Sequence, residues 1–238
     1  MIEGDRGLFN FEDVLKSINP PDFYHSPKTS LVCIENTTNK GGGACWDIIE
    51  LKKIKKICDE NNLFFHLDGA RIWNAFVENK INFKEYGKLF DTISVCLSKG
   101  LGCPVGSLLL TSSQYFENAL KIRKILGGGM RQSGYLAACG IYALDNNINR
   151  LKDDHLKAKE IESVLSKLDY IKKVEPVETN IIIFYVHNHL NSNDFISKMK
   201  EKNIFLTTMG EGKIRIVTHL DFTDQMLEKL IDELKKMQ

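Results

Sequence analysis

The chain has 238 residues, with 32 basic and 31 acidic side chains for a net charge of +1, and 43% hydrophobic against 26% charged residues. That balance supports a globular core and gives no electrostatic case for nucleic acid or an anionic membrane surface. The longest apolar run, Ile181 to Val186, is far too short to span a bilayer. The start, Met1 to Arg6, lacks the basic and apolar regions of a signal peptide. The six cysteines show no C-x-x-C spacing, so they read as reduced thiols of a cytoplasmic protein, with neither a zinc site nor a disulfide framework.

In chain order, Asn10 or Asp13 is placed to cap a short helix carrying Val14, Leu15 and Ile18, which Pro20-Pro21 would end. Ser30 to Glu35 reads as a buried strand that empties into the polar, glycine-rich loop Asn36 to Gly43. Trp46 to Glu60 has Ile48, Leu51, Ile54, Ile57 and Cys58 on one helical face and lysines on the other. Leu63 to Leu67 is the next strand, followed by Asp68 and a helix from Ala70 to about Glu78. Thr92 to Leu97 and Leu108 to Leu110 are further strands, and Gly127-Gly128-Gly129 breaks the helical region after them. Strand and helix alternating in this order predicts a mostly parallel sheet with helices on both faces.

Gly134 to Asn146 reads as a helix of small residues. Charge rises from Arg150, and beyond it Ile171 to Val174, Asn180 to Val186 and Lys213 to Val217 are strands, with helices at Asp194 to Asn203 and Asp224 to Met237. The expected architecture is therefore α/β: a large domain over residues 1–149 and a smaller α/β domain over residues 150–238.

The most informative stretch is Asp91 to Ser107, an apolar strand running into Ser98-Lys99 and then a glycine-rich loop with Pro104. A lysine at the carboxyl end of a strand sits where open α/β sheets place their ligands, though an exposed loop lysine fits the same residues. His66-Leu67-Asp68-Gly69-Ala70-Arg71 ends another strand. If the two strands are near neighbours, Asp68, Arg71 and Lys99 converge on one edge. Amine, carboxylate and guanidinium together suit pyridoxal phosphate, with the lysine forming the Schiff base and the carboxylate pairing with the pyridinium nitrogen. A structural Asp–Arg pair at a strand end is the plainer alternative.

Four co-ordered stretches, Leu67 to Arg71, Cys96 to Ser107, Gly127 to Gln132 and Arg215 to Asp221, give a more specific signal. Together they resemble low-specificity threonine aldolase, a pyridoxal-phosphate enzyme of the beta-eliminating lyase/threonine aldolase family and the aspartate-aminotransferase-like fold (fold type I). The resemblance implies that Lys99 holds pyridoxal 5'-phosphate covalently, Asp68 pairs with its ring nitrogen and Arg71 holds its phenolic oxygen. It further implies that Arg215 clamps the substrate carboxylate and that Arg131 reaches a neighbouring subunit's site near the phosphate, in a homodimer or homotetramer. Without the resemblance, Arg215 fits a surface strand and Arg131 a helix start. His66, Asn180 and His219 also match, and are expected to pack or to support the site from behind.

Two departures accompany the match. Where the family carries a histidine near the substrate hydroxyl, the stretch here is Glu35-Asn36-Thr37-Thr38, and Thr38 cannot act as a base near neutral pH. The family's opening segment, with early strands, a phosphate-gripping loop and a ring-stacking histidine, has no counterpart before Lys28. The implied activity is cleavage of a small-molecule amino acid, L-threonine or L-allo-threonine, to glycine and acetaldehyde. For a truncated chain, cofactor binding and turnover are expected to be weak. A non-catalytic remnant or scaffold of the same fold, or another pyridoxal-phosphate lyase reaction, are the alternatives.

Overall fold

In the computed structural model, residues 1–20, 22, 24–187, 190–210 and 212–237 are described. Pro21 of the expected helix stop and Gln238 at the end of the expected second domain lie outside them. The first helix, α1 (Phe11–Lys16), starts from Asn10, whose side chain accepts from the Asp13 N–H while the Asp13 carboxylate accepts from the Asn10 N–H. This reciprocal cap satisfies two of the donors that a helix start leaves open.

The first sheet runs β1 (Leu31–Glu35), β2 (Phe64–Gly69), β3 (Thr92–Cys96) and β4 (Ser107–Thr111) side by side in that order. β1 and β3 both pair parallel to β2, while β4 pairs antiparallel to β3. The reversal has a plain cause: the connection 97–106 is too short for a parallel crossover, which takes about a dozen residues or more. Helices α2 (Ile48–Glu60), α3 (Ile72–Asn79) and α4 (Phe83–Gly87) occupy the connections between β1, β2 and β3. α2 buries Leu51, Ile54, Ile57 and Cys58, four of the five residues that its sequence pattern places inward. These pack with Ile34, Phe65, Leu67 and Tyr86 in one core. The sequence gives α4 no periodic signal; Asn82 starts it by accepting from the N–H groups of Lys84 and Glu85.

After α5 (Ser113–Ile125) and α6 (Gly134–Asn146) the chain enters α7 (Leu151–Leu165). The stretch after Arg150 stands out in the sequence only for its charge, yet it is a long helix whose apolar residues serve two cores. Leu151 packs with Leu97, Leu101 and Cys103 beside the Lys99 loop. Ala158, Ile161 and Leu165 pack under the second sheet. That sheet comprises β5 (Ile171–Val174), β6 (Ile181–Val186), β8 (Lys213–Val217) and β7 (Thr207–Thr208), in that order and antiparallel throughout. α8 (Ser192–Glu201) and α9 (Asp224–Lys236) complete it, burying Phe195 and Met199 from one and Leu227, Leu230, Ile231 and Leu234 from the other.

Candidate active site

Because β1, β2 and β3 are parallel, their carboxyl ends open on one edge, with Glu35, Asp68 and Ser94 aligned in register. This is the edge at which open α/β sheets collect ligands. Just beyond it, Arg71 occupies the N-cap of α3 without capping the helix through its side chain. Lys99 follows β3, and Arg215 comes from β8 of the other sheet. These three cations line a single cavity of about 490 Å³, together with Asn74, Asn180 and His219.

The loop carrying Lys99 is held from several sides. Asn147 Nδ2 donates to the Leu101 carbonyl at 2.7 Å, Arg150 Nη1 to the Gly100 carbonyl at 3.3 Å, and Trp73 Nε1 to the Cys96 carbonyl at 3.1 Å. Gly102 has φ +76°, a backbone conformation that favours glycine. Within this loop Lys99 itself is exposed, and its amine makes no hydrogen bond or ion pair among the described residues.

The two guanidiniums are fixed through one turn. Glu35 Oε1 lies 3.7 Å from Arg71 Nη1, and Glu35 Oε2 accepts from the Asn39 N–H at 2.9 Å. Asn39 Oδ1 in turn accepts from Arg215 Nη1 at 3.0 Å. Arg215 Nε is buried and has no hydrogen-bond partner among the described residues. Burial pulls Arg71 below the usual guanidinium range; Glu35 counters this, and the positive charge of Arg215 adds to the lowering.

Polar residues of α3 and α7 buttress the wall. Asn74 Oδ1 lies 3.0 Å from His155 Nε2, and His155 Nδ1 lies 3.1 Å from Glu78 Oε2. Lys159 Nζ closes the chain on Glu78 Oε1 at 2.8 Å. Burial holds His155 below the ordinary imidazole value, with Glu78 pulling it back. Asn180 Nδ2 donates to the Thr218 carbonyl at 3.0 Å, while its Oδ1 is buried without a partner among the described residues.

The structure therefore gathers Lys99, Arg71 and Arg215 and separates three other expected residues from them. Asp68 sits on β2 beside the cavity but off its wall, its Oδ1 accepting from the Ala70 N–H at 3.1 Å. Arg131 lies exposed between α5 and α6 and does not line the cavity. Thr38, expected near the substrate hydroxyl, is 3% exposed and faces away from the wall. Its loop turns inward: the Thr38 N–H donates to the Ala44 carbonyl, the Gly43 N–H donates to the Thr38 carbonyl, and its side chain packs towards Gly7 and Gly41. The residue of that loop that reaches the cavity cations is the next one, Asn39.

His66 stays on the sheet, its Nδ1 2.6 Å from Thr92 Oγ1. Asn180 and His219, expected behind the site, are instead on its wall. Glu35 and Asn39 carried a legible signal as polar residues at the carboxyl end of a parallel strand. Asn74, inside a helix, carried none.

Sheet order, helix placement and a cation-lined cavity at the strand ends together define an α/β fold shared with threonine aldolases and aminotransferases. The solved threonine aldolase of Leishmania major superposes with a TM-score of 0.81 at 19% identity, over 98% of this chain and 68% of that one. The beta-eliminating lyase family model matches residues 1–189, and the chain belongs to that family. The low specificity L-threonine aldolase of Escherichia coli K12 is 38% identical over 224 residues, covering 94% of this chain and 65% of that protein. The low-specificity L-threonine aldolase 1 of Arabidopsis thaliana is 36% identical over 223 residues, covering 91% of this chain and 62% of that protein. The chain thus spans just under two thirds of the length of these curated relatives.

Proposed function

We propose that the chain serves retro-aldol cleavage of L-threonine or L-allo-threonine to glycine and acetaldehyde, with pyridoxal 5'-phosphate as cofactor. The observation that carries this reading is the meeting of Lys99, Arg71 and Arg215 on one cavity at the carboxyl ends of parallel strands. The residues suit the group. Lys99 offers an amine with no competing partner among the described residues for covalent attachment, Arg71 a donor for a ring oxygen, and Asp68 a carboxylate beside the same edge. When bound, the cofactor supplies an electron sink for the carbanion left by Cα–Cβ cleavage.

The chain's own residues would bind and orient. Arg215, a wall residue of the cavity, suits a substrate carboxylate, since a guanidinium pairs with two oxygens at once. With Thr38 turned away, that position gives the β-hydroxyl no base, and its proton goes to another group or to water. Gly100 and Gly102 are wall residues, whereas none of Gly41 to Gly43 is. Backbone donors for the phosphate are therefore few, and weak cofactor affinity for this chain alone follows. The reading also places the boundary between a large and a small domain at Asn149–Arg150, and it places the protein in the cytoplasm as a homo-oligomer in which Arg131 serves a neighbour's site.

The test is to add pyridoxal phosphate and record the absorbance of the lysine adduct in wild type and Lys99→Ala, together with acetaldehyde release from L-threonine. A borohydride-reducible adduct that persists in Lys99→Ala would overturn the assignment.

A further inference from the structure

We propose that the turn from Glu35 to Asn39 is a positioning device for the cavity's two guanidiniums: Asn39 fixes the plane of Arg215, and Glu35 offsets the charge of Arg71 while holding Asn39 in place. The inference rests on the carboxylate-binding reading of Arg215. It adds Glu35 and Asn39 to the site, and it moves the working position of this loop from Thr38 to Asn39.

The argument is geometric. Glu35 stands at the carboxyl end of β1 and its main-chain carbonyl is held by Trp46 Nε1 at 3.0 Å, so its side chain departs from a fixed base. One carboxylate oxygen faces Arg71 Nη1 at 3.7 Å, and the other accepts from the Asn39 N–H at 2.9 Å. That second bond aims the Asn39 side chain across to the other sheet, where Oδ1 accepts from Arg215 Nη1 at 3.0 Å. The two guanidiniums are close enough that the charge of Arg215 helps lower Arg71, so without Glu35 they would repel each other across the cavity.

The chemistry of position 39 is selective. An amide oxygen orients a guanidinium without discharging it, leaving the full positive charge for an incoming carboxylate. A carboxylate at position 39 would hold the same nitrogen and compete with the ligand.

The experiment is site-resolved modification of the full chain by phenylglyoxal, which attacks guanidines, read at Arg215 and Arg71 by peptide mass spectrometry. Asn39→Ala should speed modification of Arg215 by about tenfold or more, the order expected for loss of one hydrogen bond to a charged group, with Arg71 little changed. Asn39→Asp should slow it below wild type, a change of sign that local loosening cannot produce. Glu35→Gln should speed modification of Arg71. Equal acceleration of both arginines in Asn39→Ala, or acceleration of Arg215 in Asn39→Asp, would overturn the proposal.

L-Threonine should slow modification of Arg215 in wild type, and L-threoninol, which lacks the carboxylate, should not. If threonine gives no protection while the Asn39 effects persist, the carboxylate reading fails and the alignment stands. If the Asn39 effects vanish while protection persists, the alignment fails and the carboxylate reading stands.

Discussion

The two sheets are built from similar residues but are covered differently. In the second, β6 is buried almost end to end, and its Ile182 and Phe184 meet side chains from α7, α8 and α9 in one closed core. In the first, β1 to β3 bury one face under helices, while β4 presents Leu108, Leu109 and Leu110 at 46%, 54% and 48% exposure. The helix after it, α5, buries no residue at all. Where a sheet closes on its own helices, its stability is internal. Where strand edges and apolar side chains stay open, its surface is suited to pairing with further polypeptide. The cavity lies at the junction: Lys99 and Arg71 come from the half-covered sheet and Arg215 from the closed one.

The largest expected effect is in the closed core. Phe184→Ala removes a fully buried ring packed edge-on to Phe195 with centroids 5.8 Å apart, and it should cost about 3–5 kcal/mol. Urea denaturation followed by circular dichroism measures it. A cost under about 1 kcal/mol, the range of ordinary surface changes, would mean that this core is no tighter than the other.

That core was legible in advance, because the continuous apolar run Ile181 to Val186 and the spacing of Leu227, Leu230, Ile231 and Leu234 report burial directly. So was the meeting of Arg71 and Lys99 at one sheet edge, which follows from parallel pairing of β2 and β3, although Asp68 of the same edge stays off the cavity wall. α7 was hidden because its apolar residues face two different cores, which breaks the single stripe that marks an amphipathic helix. The reversal of β4 was a matter of loop length, which patterning does not encode. Thr38 misled because residue type says nothing about which way an irregular loop turns.

Next in size is the link between the sheets. Arg6 donates from Nε to the Gly41 carbonyl at 2.8 Å and from Nη2 to the Pro176 carbonyl at 2.8 Å, and Nη1 pairs with Glu178 at 2.6 Å. Glu178 also accepts from the Cys45 N–H at 2.9 Å. Arg6→Ala should cost about 1–3 kcal/mol, the range for leaving partly buried partners unsatisfied. Calorimetry should show the single melting transition of wild type broaden or split. An unchanged, single transition would show that the halves are coupled elsewhere, with α7 the natural candidate.

Acid should probe that second link. His155 of α7 is faced by Glu78 and Asn74 of α3 and by Lys159 one turn along. Burial depresses His155. Glu78 is raised by burial, but its bonds to Lys159 and His155 outweigh that and leave it below the usual carboxylate value. In both cases the folded chain binds fewer protons than the unfolded one, so stability is present at high pH and is lost as pH falls. The first loss should begin below about pH 6.5, the ordinary imidazole value, and the second in the carboxylate range near pH 4. Melting temperature against pH measures this, and His155→Gln should flatten the upper step. A melting temperature that holds or rises from pH 7 to 5 would contradict the sign.

The smallest effect on stability should come from the open edge, where the informative quantity is association. Leu109 pairs with Ser94 across β3 and β4, and its side chain is 54% exposed. Leu109→Lys therefore removes little buried area and should shift stability by no more than about 0.5 kcal/mol. A lysine on an edge strand nevertheless opposes strand-to-strand pairing, because like charges on approaching edges repel and an ammonium resists desolvation. Sedimentation velocity over rising concentration should show the wild-type chain self-associating and the variant doing so less. A fall in melting temperature with association unchanged would invert the comparison, placing Leu109 in a core and making β4 a covered strand.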